Sequence, residues 1–149
     1  MKKLIVVLVA VSCAAMFSGC LEESEQEGCS VPEITAVNYL PRNPGPTDAV
    51  TVTAKIKNDH CPFQAQVTYQ VAEVGEEWSN SADSYESTAP VHSTVAGETC
   101  DFEAKIPAAG SGNRKVRFVI EVVTQHLYYL TSEVQEYTVF EPVSGDGNE

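Results

Sequence analysis

Three kinds of side chain in this 149-residue chain have the chemistry to form a site: histidines, aromatics and cysteines. The histidines are His60, His92 and His126, and Asp59 stands beside His60. Two histidines and a carboxylate can hold zinc, but no close ligand spacing ties these residues together. No Ser-His-Asp grouping, Gly-framed nucleophile or specifically set carboxylate pair stands out. The expectation is therefore no metal, no cofactor and no catalytic centre. The aromatics offer more. Trp78 with Tyr69 and Tyr85 would make a platform for sugars, unless Trp78 simply packs over the edge of a sheet. The run His126, Leu127, Tyr128, Tyr129, Leu130 is the other candidate, because tyrosines give large contact area at low entropic cost on recognition loops. The alternative there is that two flanking strands are long and bury these side chains.

Lys2 and Lys3 precede an apolar run over residues 4–16, too short for a bilayer span of ~20 residues. Basic, then apolar, then small residues form the pattern of a secretory signal. The run closes on Phe17, Ser18, Gly19, Cys20, which resembles the lipobox of bacterial lipoproteins. That resemblance implies cleavage before Cys20 and a diacylglycerol on its sulfur, with residues 1–19 as the signal peptide. Phe17 departs from the usual Leu, and Ala10, Val11, Ser12, Cys13 is a rival box with a shorter apolar region. Several acyl chains on one residue anchor a protein stably, so the membrane is the first expected partner. Leu21 is not the Asp that in this family favours inner-membrane retention, which points to the outer membrane or cell surface. Residues 20–31 follow as an acidic tether without the apolar content to bury itself, and residues 21–31 reach at most about 35 Å.

The remainder must supply the scaffold. Residues 117–123 with Val116 alternate between Val116, Phe118, Ile120 and Val122 on one side and Arg117 and Glu121 on the other. That period of two marks a half-buried strand. Val119 and Val123 make the second side partly apolar, as in a strand at the middle of a sheet. Other strands are expected over residues 34–39, 50–57, 65–71 and 102–106, with a weak edge strand near 90–95 and a closing strand over 133–140. Trp78 is expected to begin a short partner strand after the turn at Gly75, and 79–90 to be a loop. Residues 141–149 read as a frayed tail. About seven short strands with no helical period after the signal predict an all-β sandwich over residues 32–140.

At this point the chain resembles the immunoglobulin-like, fibronectin type III-like modules of bacterial surface proteins. The resemblance rests on Val50-Thr51-Val52-Thr53-Ala54, Tyr69, Gly75 with Trp78, Phe102-Glu103-Ala104-Lys105-Ile106-Pro107 and Val116-Arg117-Phe118. It implies that strands 50–57 and 102–106 run antiparallel, which brings Cys61 beside Cys100 and suggests a disulfide between them. Cys29–Cys61 is the rival pairing, with Cys29 otherwise left over. It also implies that Asp59, His60 and residues 126–130 share one end of the domain as a binding loop cluster. In such modules the 124–131 turn is usually polar.

The formal charge is −12, and removal of Lys2 and Lys3 with the signal leaves about −14. So acidic a surface repels nucleic-acid backbone, which excludes nucleic acid as a partner. The reading is a lipid-anchored, exported, non-enzymatic interaction or envelope-structural module whose partner is an envelope or surface protein. The alternative is a carbohydrate-binding or polysaccharide-associated surface lipoprotein.

Overall fold

The structure is a computed structural model that describes residues 31–57, 61–93, 99–125 and 128–141. In chain order these form β1 (Glu33–Leu40), β2 (Val50–Lys57), β3 (Phe63–Glu73), a 3-10 turn at Ala82–Ser84, β4 (Glu86–Ser87), β5 (Val91–Ser93), β6 (Thr99–Ile106), β7 (Arg114–Thr124), β8 (Tyr129–Thr131) and β9 (Gln135–Val139). Every pairing is antiparallel. One sheet has the order β1–β2–β6. The other runs β4–β3–β7–β8, with β5 also on β3 and β9 also on β7. The expected all-β sandwich of two antiparallel sheets is the fold.

β7 is the middle of the larger sheet, as its alternation predicts. Along one edge it pairs with the whole of β3, from Phe63 opposite Thr124 to Glu73 opposite Arg114. Its other edge is shared. β8 takes residues 121–123 and β9 takes residues 114–118. Ser132 fills the gap between them: its N–H donates to the Ile120 carbonyl at 2.9 Å and its Oγ accepts from the Ile120 N–H at 2.9 Å. The ladder thus stays satisfied where neither short strand reaches, as buried backbone requires.

The core forms because both sheets alternate in step. Val50, Val52, Ala54 and Ile56 of β2 face the interior, as do Val116, Phe118, Ile120 and Val122 of β7, and all are buried. Phe102 and Ile106 of β6 and Val67 and Tyr69 of β3 complete it. Across the sandwich, Tyr39 meets Phe118 edge-on with ring centroids 5.7 Å apart and lies 5.5 Å from Tyr137. The Tyr39 hydroxyl donates to the Glu136 carbonyl at 3.2 Å. The end of β1 is therefore tied to β9 in the opposite sheet. β1 itself is interrupted: its register on β2 slips between Thr35 and Asn38, and Ala36 sits at φ 53° in the left-handed region. That is a β-bulge on an edge strand.

One expectation about elements needs correction. Trp78 begins no strand; it lies in an irregular stretch, and the partner of β3 on that side is the two-residue β4. Of the two readings of the 124–131 segment, a flanking strand is what Tyr129, Leu130 and Thr131 form, adding β8 to the edge of β7.

Burial gives the tyrosines a measurable signature. It pushes the Tyr69 phenol up to about 12, helped by the Glu86 carboxylate that accepts its hydrogen bond at 2.7 Å. Burial also raises Tyr137. The fold holds the neutral phenol, so this stabilisation is complete below the ordinary tyrosine value of 10.0 and is lost as pH climbs through about 12. Alkaline titration is expected to show phenolate absorbance for these residues lagging behind the exposed tyrosines, with unfolding in that window. Phenolate appearing in a single step at pH ~10 would contradict the burial.

Candidate functional site

The larger sheet turns its second face outward, and there the register sets Gln66 opposite Glu121, Thr68 opposite Val119 and Gln70 opposite Arg117. The chain leaving β3 turns at Gly75, whose φ of 98° suits glycine, and comes back against this face. It is held there by Gln70, a buried polar side chain at 2% exposure. Its Nε2 donates to the Ser79 carbonyl at 3.0 Å and to Ser84 Oγ at 2.6 Å. Its Oε1 accepts from Arg117 Nε at 2.9 Å. Every polar atom of the amide is thus occupied, as burial demands. The Lys115 ammonium and the Arg117 guanidinium lie 4.4 and 4.7 Å from the Trp78 ring centroid. Arg117 Nη2 also donates to the Tyr85 hydroxyl at 2.7 Å. Together these contacts fix the guanidinium in place.

On the far side of the same face stands β8. Tyr129 is paired with Val123 and Thr131 with Glu121, so both point outward. The Tyr129 hydroxyl donates to Glu121 Oε1 at 2.7 Å, and Gln66 Nε2 donates to Glu121 Oε2 at 3.1 Å. Burial alone would raise the Glu121 carboxyl, but hydrogen bonds from Tyr129, Gln66 and Thr68 outweigh it and hold the group below the usual carboxylate range. The same Tyr129 bond pushes that residue's phenol up to about 12.

Between the Tyr85 side and the Tyr129 side runs an open groove of about 630 Å³. Val119 and Thr68 are on its floor, Arg117 and Glu121 line it, and Val134 adds an apolar wall. Tyr85 and Tyr129 are 42% and 62% exposed, so they present ring surface to whatever enters. The arrangement suits binding: exposed rings, an apolar floor and two fixed opposite charges. Among the described residues no three His, Cys, Asp or Glu side chains cluster as metal ligands would.

The sequence candidates are redistributed by this geometry. Tyr69, Trp78 and Tyr85 do not form one platform, because Tyr69 faces the core while Trp78 lies under two cations on the outer face. Tyr85 instead shares a groove with Tyr129. Leu130 pairs with Val122 and is half-buried, whereas Tyr128 is exposed. Asp59, His60, His126 and Leu127 lie outside the described residues, as do the signal segment, Cys20 and residues 142–149. Cys61 and Cys100 are not joined to each other, which corrects the expected bridge. Cys100 lies opposite Ile56 in the β2–β6 ladder, while Cys61 is beyond the end of β2 at the entrance to β3. Arg117 and Glu121 as groove residues were missed. Their signal was present, since both stand on the polar side of the central strand with Val119 between them.

The fold defines an antiparallel β-sandwich domain. No known protein family matches the sequence, and no curated protein matches it. Among solved structures the chain is similar to the sensor domain of the anti-sigma factor RsgI4 in Pseudobacteroides cellulosolvens, with a TM-score of 0.52 and 12% identity over 79% of this chain and 98% of that one. A weaker likeness is to Spo0M, a sporulation control protein from Bacillus subtilis, with a TM-score of 0.43 and 14% identity over 76% of this chain and 51% of that one. At such identity the first likeness is one of fold.

Proposed function

We propose that this chain is an exported, lipid-anchored, non-enzymatic binding module of the immunoglobulin-like type. Cys20 carries the lipid, the acidic segment after it is the tether, and the β-sandwich presents the groove on its larger sheet. The observation that carries the reading is the convergence of Tyr85, Arg117, Val119, Glu121 and Tyr129 on one open face. Exposed rings beside fixed charges are what a recognition surface needs. A polysaccharide ligand is the second reading, favoured by the two exposed tyrosines flanking the groove. A disulfide at Cys61 also belongs to the proposal, as this wholly buried residue suits a bridge. Its partner lies outside the described residues, and Cys29 is the cysteine the sequence places just before them.

Membrane fractionation of wild type and Cys20→Ala tests the anchor. Wild type is expected with the membranes and the variant in the soluble exported fraction; a variant that stays in the membrane refutes lipidation at Cys20. A photo-reactive residue at Thr131 tests the groove in intact cells. It is expected to give a discrete adduct, while the same residue at Lys55 on the other sheet gives none. Equal labelling at both positions would remove the groove as the site.

A further inference from the structure

Resting on that reading, we infer that the groove takes an extended polypeptide segment of a partner protein, one that carries an acidic and a basic side chain four residues apart. Arg117 and Glu121 are on the same side of β7 and are separated by four residues of strand, about 13 Å at 3.3 Å per residue. An extended ligand repeats that geometry: its side chains at i and i+4 point the same way and are separated by the same length. Its residue i+2 then falls over Val119, where a small apolar side chain fits the floor.

The two charges await partners. The ion pairs among the described residues are Lys55–Asp101 and Arg114–Glu73, so neither Arg117 nor Glu121 is in one. Arg117 uses Nε on Gln70 and Nη2 on Tyr85, and Nη1 has no hydrogen-bond partner among the described residues. Glu121 accepts from the neutral side chains of Tyr129, Gln66 and Thr68, and a carboxylate has roughly four acceptor sites. Both groups are held in position before anything binds, which lowers the ordering cost of association. A neutral glycan would cover these charges without pairing them, and desolvating an unpaired charge is costly. A peptide with an acid for Arg117 and a base for Glu121 satisfies both. Tyr85 and Tyr129 then flank its two ends.

The test uses the full chain against synthetic peptides with a Ser/Thr frame, a central Val, and one Asp and one Lys placed three, four or five residues apart. Doubly acidic, doubly basic and neutral peptides complete the set, and a glycan array is run beside it. Four-residue spacing is expected to bind about tenfold more tightly than three or five, where the two side chains point to opposite faces. Glu121→Lys should transfer the preference to doubly acidic peptides at the same spacing. Thr131→Lys, an exposed change beside Glu121, should weaken the Asp/Lys peptide while leaving the core untouched, and thermal melting confirms that both variants fold. Equal binding at all spacings, or a preference that survives both variants, overturns the inference. So does a lack of any peptide binding. If glycans are then retained and Val119→Glu abolishes the signal, the groove remains a binding site and only the peptide assignment falls.

Discussion

Phe118→Ala is expected to destabilise the domain by about 3–5 kcal/mol, the range for removing a buried aromatic ring. Phe118 is 1% exposed in the strand that has neighbours on both edges, opposite Tyr69 on one side and Gln135 on the other. Its ring is where the two sheets meet, edge-on to Tyr39 and 6.3 Å from Tyr137. The gap left by alanine does not close easily, because Tyr39 is tied by its hydroxyl to Glu136 and β7 is fixed on both edges. Small domains have only about 5–15 kcal/mol of stability, so this one change removes a large share. Urea unfolding should show a lower midpoint at unchanged slope. Val119→Ala, on the outward face of the same strand, should cost under about 1 kcal/mol. Similar losses for the two substitutions would mean that the core is not organised around Phe118.

Cys61→Ser is expected to cost about 4 kcal/mol in the chain-entropy model, provided the proposed bridge closes the loop back to Cys29. The described part of the β1–β2 ladder supports that partner. Glu33 faces Lys57, Ile34 faces Ile56 and Thr35 faces Lys55. In the sequence Cys29 and Cys61 each stand four residues beyond that Glu33–Lys57 pair, and directly opposed cysteines on antiparallel strands suit disulfide geometry. Peptide mapping without reductant should recover the two cysteines in one cross-linked fragment, and Cys29→Ser should match Cys61→Ser in stability. A cross-linked fragment containing Cys100, or variants that melt like wild type, would dismiss the pairing. Reductant should lower the wild-type midpoint and leave both variants unmoved.

The scaffold was readable because alternation is a local property. Val50, Val52, Ala54 and Ile56 announce an inward face without any knowledge of what covers it, and β2 falls on the expected residues. The same holds for the middle of β7. What alternation leaves open is which distant segment lies against an outward face. Tyr85 and Tyr129 belong to separate stretches with separate readings, and only the return of the chain after Gly75 and the short β8 set them along one groove. Trp78 misleads for a related reason. An aromatic after a turn suits a strand start, but the cations that cover this ring, Lys115 and Arg117, belong to a strand much further along the chain and meet it only in the fold. The cysteine pairing went astray because antiparallel strands share an end but differ in register, and only register decides which side chains meet.

The bulge in β1 bears on crowding. Lipid-anchored molecules would share a plane and meet their neighbours far more often than molecules in solution. A straight sheet edge in that setting invites one copy to stitch onto the next through its unpaired backbone groups. The slip between Thr35 and Asn38, with Ala36 turned left-handed, breaks the row of donors and acceptors that such stitching requires. β1 is thereby a poor template for a neighbouring strand.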